Sequence, residues 1–105
     1  MALAYVNGPS TEALLGQTIG ENFAATVAAH RDREAMVDFA SGRRWTYGTL
    51  ADDVAAVAKG LLALGIGAGD RVGIWAPNVP EWVLIQFATA RVGAILVNIN
   101  PAYRS

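Results

Sequence analysis

Gly69-Asp70-Arg71-Val72-Gly73-Ile74-Trp75-Ala76-Pro77-Asn78, running on through Glu81-Trp82 to Val92-Gly93-Ala94-Ile95-Leu96-Val97-Asn98-Ile99-Asn100-Pro101-Ala102-Tyr103, decides how this chain folds. Val72, Ile74 and Trp75 form a short apolar run, so 71–75 is a predicted strand. Asn78 and Glu81 stand three apart with Pro80 between them, which predicts a helix capped by Asn78 with Pro80 in its first turn. Trp82, Ile85, Phe87, Ala88 and Val92 give that helix apolar surface on more than one side, and Gly93 stops it. Ala94 to Val97 is a continuous apolar run of the kind a parallel sheet buries on both faces. Strand, helix, strand in this order predicts a right-handed βαβ unit.

Upstream, Thr18-Ile19-Gly20-Glu21 has the form of a capping box. Phe23 and Val27 lie four apart behind it, which predicts a helix from Ile19 to His30. Ala35 to Phe39 and Arg43 to Trp45 read as two strands joined at Ser41-Gly42, a β-hairpin. Thr46 is placed to cap a second helix. Leu50, Val54, Val57, Leu61 and Leu64 recur at spacings of four and three and form one apolar stripe along it. Gly65 suits the left-handed position past its end. Residues 1–17 read as a leader and 18–105 as one α/β unit of helix, hairpin, helix and βαβ.

Composition bounds the function. The 105 residues are 53% hydrophobic and 16% charged with a formal net charge of −1. That suits one folded domain. It leaves no basic footprint for nucleic acid or anionic lipid; Arg43-Arg44 is the one adjacent basic pair. The chain has no cysteine, which excludes thiolate metal sites and cysteine nucleophiles and fits a cytosolic setting. No signal peptide is read at the start. The apolar stretch from Trp82 to Val97 is interrupted by Gln86, Arg91 and Gly93, so no membrane span is read there.

Few residues invite a chemical reading. Gly65-Ile66-Gly67-Ala68-Gly69 is glycine-rich, but it follows a helix and precedes a strand. A phosphate loop needs the opposite context, ending at a helix N-terminus. His30, the only histidine, falls at a helix C-terminus, where the dipole favours it. Lys59, the only lysine, lies off the apolar stripe. Asp52 and Asp53 are helix neighbours pointing about 100° apart, so they do not converge as an acid–base pair. Asp70 reads as a turn residue or ion-pair partner. Trp45, Trp75 and Trp82 read as core or interdomain packing. Asn78, Asn98 and Asn100 follow the carboxyl ends of predicted parallel strands, where α/β sheets form their ligand crevices; one cap and two turn residues is the plainer account of them.

The motifs G-D-R-V-x-I-x-x-P-N-x-x-E-W (69–82) and V-G-A-I-L-V-N-x-N-P-A-Y (92–103), with Trp45-Thr46-Tyr47 and Leu50 upstream, resemble the amino-terminal region of the AMP-forming acyl-CoA synthetases. Within that family they look most like the medium-chain and related fatty-acyl enzymes. The family frequently carries Glu where this chain has Thr49, so the capping box with Thr46 is expected to be incomplete. The resemblance implies a two-step reaction in a full enzyme, an acid–thiol ligase. A fatty carboxylate attacks ATP to give acyl-adenylate, and the thiol of coenzyme A then displaces AMP, with magnesium on the phosphates. It also implies that the lysine-bearing phosphate loop and the catalytic lysine belong to later segments. The chain is therefore expected to be a truncated amino-terminal segment, inactive alone, whose partner is the remainder of the synthetase fold. No catalytic, cofactor-binding or metal residue is assigned to it. The rival expectation is a stand-alone α/β interaction or scaffold module.

Overall fold

The computed structural model describes residues 16–102. The elements follow one another as α1 (Ile19–His30), β1 (Glu34–Val37), β2 (Arg44–Thr46), α2 (Tyr47–Ala63), β3 (Arg71–Trp75), α3 (Glu81–Val92) and β4 (Ile95–Ile99). β1 and β2 form an antiparallel pair, and β3 and β4 a parallel one. The expected α/β order of helix, hairpin, helix and βαβ is therefore present. The leader expected over residues 1–17 falls almost wholly outside the described residues.

Helix α1 begins as its sequence dictates. The Thr18 hydroxyl accepts the Glu21 N–H at 3.1 Å and thus serves one of the free donors of the first turn. The hairpin is displaced slightly from expectation. β1 covers Glu34–Val37 in place of 35–39, because the chain already turns at Asp38, whose carbonyl accepts Gly42 N–H at 2.8 Å. Gly42 takes φ 75°, a left-handed conformation that a side chain would strain. Phe39, expected inside the strand, stands at the tip, 98% exposed.

Helix α2 is the centre of the core. Leu50, Val54, Ala58 and Leu61 are buried along one side, joined by Trp45 from β2 and by Leu84 and Ala88 from α3. Complete burial of a Leu or Val side chain is worth about 1.5–3 kcal/mol each. The stripe differs from expectation at its ends. Ala58 joins it, Val57 is half-buried, and Leu64 is 78% exposed because the helix has ended at Ala63 and the chain turns at Leu64. Gly65 takes the expected left-handed conformation, φ 82°. The expected gap in the capping box is also corrected. Thr49 N–H donates to Thr46 Oγ1 at 3.1 Å, and Thr46 N–H donates back to Thr49 Oγ1 at 2.9 Å. A threonine hydroxyl, being close to the backbone, completes what a longer glutamate side chain does elsewhere.

Asn78 does not cap α3. The N-cap is Pro80, with no side-chain cap bond; the first donors instead close tight turns, Trp82 N–H to the Val79 carbonyl at 3.1 Å and Val83 N–H to that of Pro80 at 3.0 Å. Gly93 ends α3 in the left-handed conformation expected of it. The aromatic rings of Phe23 on α1 and Phe87 on α3 stack at a centroid distance of 4.2 Å.

Candidate functional site: the carboxyl edge and open face of the parallel pair

The register Arg71↔Ile95, Val72↔Leu96, Gly73↔Val97, Ile74↔Asn98 and Trp75↔Ile99 aligns the carboxyl ends of β3 and β4. The loops that leave those ends carry Asn78 and Asn100, and Asn98 lies in the last rungs. The structure thus brings the three asparagines to one edge of the pair. Their individual roles are modest. Asn100 Oδ1 accepts Ala102 N–H at 2.9 Å, which makes it the turn residue expected before Pro101–Ala102. Asn78 is exposed and borders a cavity of about 320 Å³ with Met36, Pro80 and Trp82. The loop after β3 is held by Trp82, whose Nε1–H donates to the Ala76 carbonyl at 3.2 Å.

Strand side chains alternate between faces, so the pair presents two surfaces. Val72 and Leu96 are half-buried, and Val72 packs on the core. Gly73, Trp75, Ile95, Val97 and Ile99 lie on the other side. There Trp75 is 53%, Ile95 48% and Val97 39% exposed. Strands of this kind need cover on both faces, and three helices are too few to give it: among the described residues one face is covered and the other open, in line with the apolar runs and the helix count. Gly73 has a specific part in this surface. A Cβ built on it would lie 3.0 Å from Ile99 Cδ1, so the isoleucine side chain rests across the glycine.

The charged groups are engaged in structural contacts. Asp53 Oδ2 accepts the Trp45 Nε1–H at 2.9 Å, while Asp52 faces Arg31 at 3.9 Å. The two aspartates diverge as the helix geometry requires. Asp70 Oδ2 accepts Gly67 N–H at 2.8 Å, so it is a turn residue. Arg43 pairs with Glu81 at 3.3 Å and lies 4.5 Å over the Trp45 ring, and Arg44 pairs with Glu34 at 2.7 Å. Lys59 and His30 are exposed, each on its helix. Arg71 opens β3 and Arg91 lies in the last turn of α3, both away from the carboxyl edge.

Free helix N-termini would be the natural anion sites, but at α2 the first donors are spoken for. Tyr47 and Gly48 N–H donate to the carbonyls of Arg33 and Arg31, each at 2.9 Å, and Thr49 N–H goes to Thr46. Among the described residues no cluster of three or more His, Cys, Asp or Glu side chains could hold a metal ion. A larger groove, about 680 Å³, runs between α1, α2 and α3. Its floor includes Phe23, Val27 and Val54, and Arg31 and Arg91 stand among its lining. It lies on the helices, away from the strand ends. Among the described residues no helix is long and apolar enough to cross a membrane.

Two of these features were not foreseen: the Trp45–Asp53 bond and the hydroxyl-closed capping box.

A helix–hairpin–helix leading into a parallel βαβ unit, with asparagine-bearing loops at the carboxyl edge, is a piece of an α/β fold built on a parallel sheet. The chain belongs to the AMP-binding enzyme family, whose pattern matches residues 23–105. It is 48% identical over 104 residues to the mitochondrial medium-chain acyl-CoA ligase ACSF2 of Danio rerio; the match covers 99% of this chain and 17% of that protein. A fatty acyl CoA synthetase of Mycobacterium tuberculosis superposes with a TM-score of 0.78 at 30% identity, over 82% of this chain and 17% of that one. The N-terminal subdomain of Klebsiella oxytoca NpsA, solved with 3-hydroxybenzoyl-AMSN, superposes with a TM-score of 0.76 at 27% identity, over 82% of this chain and 21% of that one. The chain thus corresponds to the amino-terminal part of an acyl-CoA ligase.

Proposed function

We propose that this chain supplies the first α/β segment of an ATP-dependent ligase that joins fatty carboxylates to coenzyme A, and that residues 18–105 are an incomplete amino-terminal part of its AMP-binding domain. The observation that carries the proposal is the 48% identity with a medium-chain acyl-CoA ligase across nearly the whole chain. ATP, magnesium, the fatty acid and coenzyme A belong to the full ligase.

In this reading the chain's own residues build and do not react. Trp45, Leu50, Val54 and Leu84 fix α2 and α3 behind the parallel pair. The Trp82 bond to Ala76 and the Asn100 turn shape the loops at the carboxyl edge, which is where such sheets form ligand crevices. The magnesium ion does not fit the donors present. Asp53 and Asp70 are bound to an indole and a backbone amide, and Asp52 faces an arginine. No step is therefore assigned to metal on this chain. Triphosphate binding needs convergent N–H donors and an aimed cation, and these too fall to later segments. We further propose a cytosolic setting. The mitochondrial location in the ACSF2 name is that relative's own.

The test has two arms. Pyrophosphate exchange with a panel of fatty acids, together with calorimetric titration of MgATP, is expected to give background only for the chain alone. Exchange that depends on fatty acid would overturn its inactivity. The chain is then substituted for the matching segment of Danio rerio ACSF2. That chimera is expected to form fatty-acyl thioesters, and a folded chimera without thioester formation would refute the ligase reading.

A further inference from the structure

We propose that Arg43 and Glu81 form a latch that positions the 76–80 loop at the carboxyl edge of the parallel pair, and that both are positioning residues for the ligand crevice of the assembled ligase. The inference rests on the ligase reading and adds which side chains set one wall of its site. Three observations carry it.

The first is the reach of the contact. Arg43 Nη1 donates to Glu81 Oε1 at 3.3 Å, between residues 38 apart in the chain. Arg43 leads into β2, and Glu81 is the first residue of α3. The other ion pair of the hairpin, Arg44 with Glu34, closes within the hairpin itself. Among the described residues Arg43–Glu81 is the one hydrogen bond between the hairpin and the connection from β3 to α3.

The second is that the arginine is held before it pairs. Its carbonyl accepts Asp38 N–H at 2.9 Å, and its own N–H donates to Ser41 Oγ at 3.3 Å. Its guanidinium lies 4.5 Å from the centroid of the Trp45 ring. That ring is buried and is fixed in turn by Asp53. A surface ion pair is usually weak because two long side chains must be ordered to make it. Here stacking has already ordered the arginine, and the N-terminal end of α3 favours a carboxylate at Glu81.

The third is the setting of the loop. Pro80 gives α3 no side-chain cap. The Trp82 bond to Ala76 runs inside the connection and moves with it. Between the loop and β1 lies the cavity of about 320 Å³ that Met36, Val37, Asn78 and Pro80 border. Packing therefore leaves the loop room to shift against the hairpin, and the Arg43–Glu81 contact limits that shift. Asn78 travels with the loop, so the latch sets where Asn78 stands at the edge.

Two measurements test it. Hydrogen exchange is followed in this chain, kept below micromolar concentration. The amides of Trp82, Val83 and Leu84 bond to the Val79 and Pro80 carbonyls. Arg43→Met keeps an apolar stem over Trp45, removes the charge and alters nothing in α3 itself. It is expected to speed exchange of those three amides by about two- to fivefold, the range an exposed ion pair gives, while α2 amides keep their rates. Arg43→Lys is expected to exchange like wild type, because the contact is a single one. Unchanged exchange at Trp82–Leu84 in Arg43→Met, or an equal rise in α2, overturns the latch.

The Danio rerio ACSF2 chimera then supplies steady-state kinetics, with MgATP, fatty acid and coenzyme A varied in turn. Arg43→Met and Glu81→Ala are each expected to raise KM for at least one of the three by about two- to fivefold, with kcat changed by less. That split is the mark of a binding surface populated less often. Phe39→Ala, at the exposed hairpin tip, is expected to leave both constants unchanged. A folded wild-type chimera without thioester formation sinks the ligase reading. An active one whose KM values ignore both latch variants, or that loses kcat alone, sinks the positioning role and leaves the ligase reading standing.

Discussion

The indole N–H of Trp45 donates to Asp53 across 2.9 Å, tying strand β2 to the second turn of α2. Trp45 is 4% exposed, so its donor has little access to water. Asp53→Ala is expected to lower stability by about 1–2 kcal/mol, the cost of leaving such a donor unmade. A double-mutant cycle with Trp45→Phe, read by urea denaturation, isolates the pair. Additive losses would show that the bond contributes nothing.

Thr49 tests whether a short hydroxyl closes the α2 cap. Thr49→Ala removes the acceptor for Thr46 N–H and is expected to cost about 1 kcal/mol. Thr49→Glu is expected to retain most of the stability, since glutamate is the usual residue at that position of the box. Thermal melts of the two variants side by side decide it; an unchanged midpoint for Thr49→Ala would remove the cap from the account.

Two glycines in the same helix are expected to answer alanine with opposite signs. A Cβ on Gly60 meets nothing within 4 Å, so Gly60→Ala is expected to stabilise by roughly 0.5–1 kcal/mol through backbone entropy. On Gly48 it would lie 2.9 Å from Arg31 Cγ and 3.2 Å from the Arg31 carbonyl oxygen. Gly48→Ala is expected to destabilise, because the first turn of α2 must move off the carbonyls that receive its N–H groups. Equal effects in denaturant titrations would contradict the close approach.

The uncovered sheet makes the isolated chain adhesive. Light scattering is expected to show association at micromolar concentration, with strong uptake of a hydrophobic dye. Val97→Lys with Ile95→Lys is expected to raise the monomer fraction and reduce dye uptake. A monodisperse wild-type monomer with a sharp melt would count against this.

Most of the framework was legible because it rests on local signals. The Thr18 cap, the Gly65 and Gly93 stops and the Leu50/Val54/Leu61 stripe each depend on residues within a turn or two of one another. What was not legible depends on distance or on exact geometry. The Asn78 cap failed because Pro80 already adopts the helical conformation, φ −61° and ψ −24°, and starts the helix itself. Leu64 left the stripe because the helix stopped one residue short of it. The apolar run Ala94 to Val97 reports that its strand requires cover on both faces, and the three helices supply it on one. The placing of the asparagines at one edge follows from the strand ends, but the contacts that hold Asp52, Asp53 and Asp70 could not be read from spacing.

Asp70 carries a consequence for how this segment tolerates change in length. Its side chain closes the turn at Gly67, and its carbonyl accepts Ile95 N–H at 2.7 Å, beside the Gly69 N–H bond to the Gly93 carbonyl at 3.0 Å. Together these set the zero mark from which β3 and β4 are counted. Strand side chains change face at every step, so an extra residue between Gly67 and Arg71 would turn Val72 outward and Gly73 inward. An insertion in the 76–80 loop lies beyond the last rung of β3 and leaves the count untouched. A length change is therefore expected to be tolerated after Trp75 and resisted before Arg71, although both stretches are surface loops of similar size.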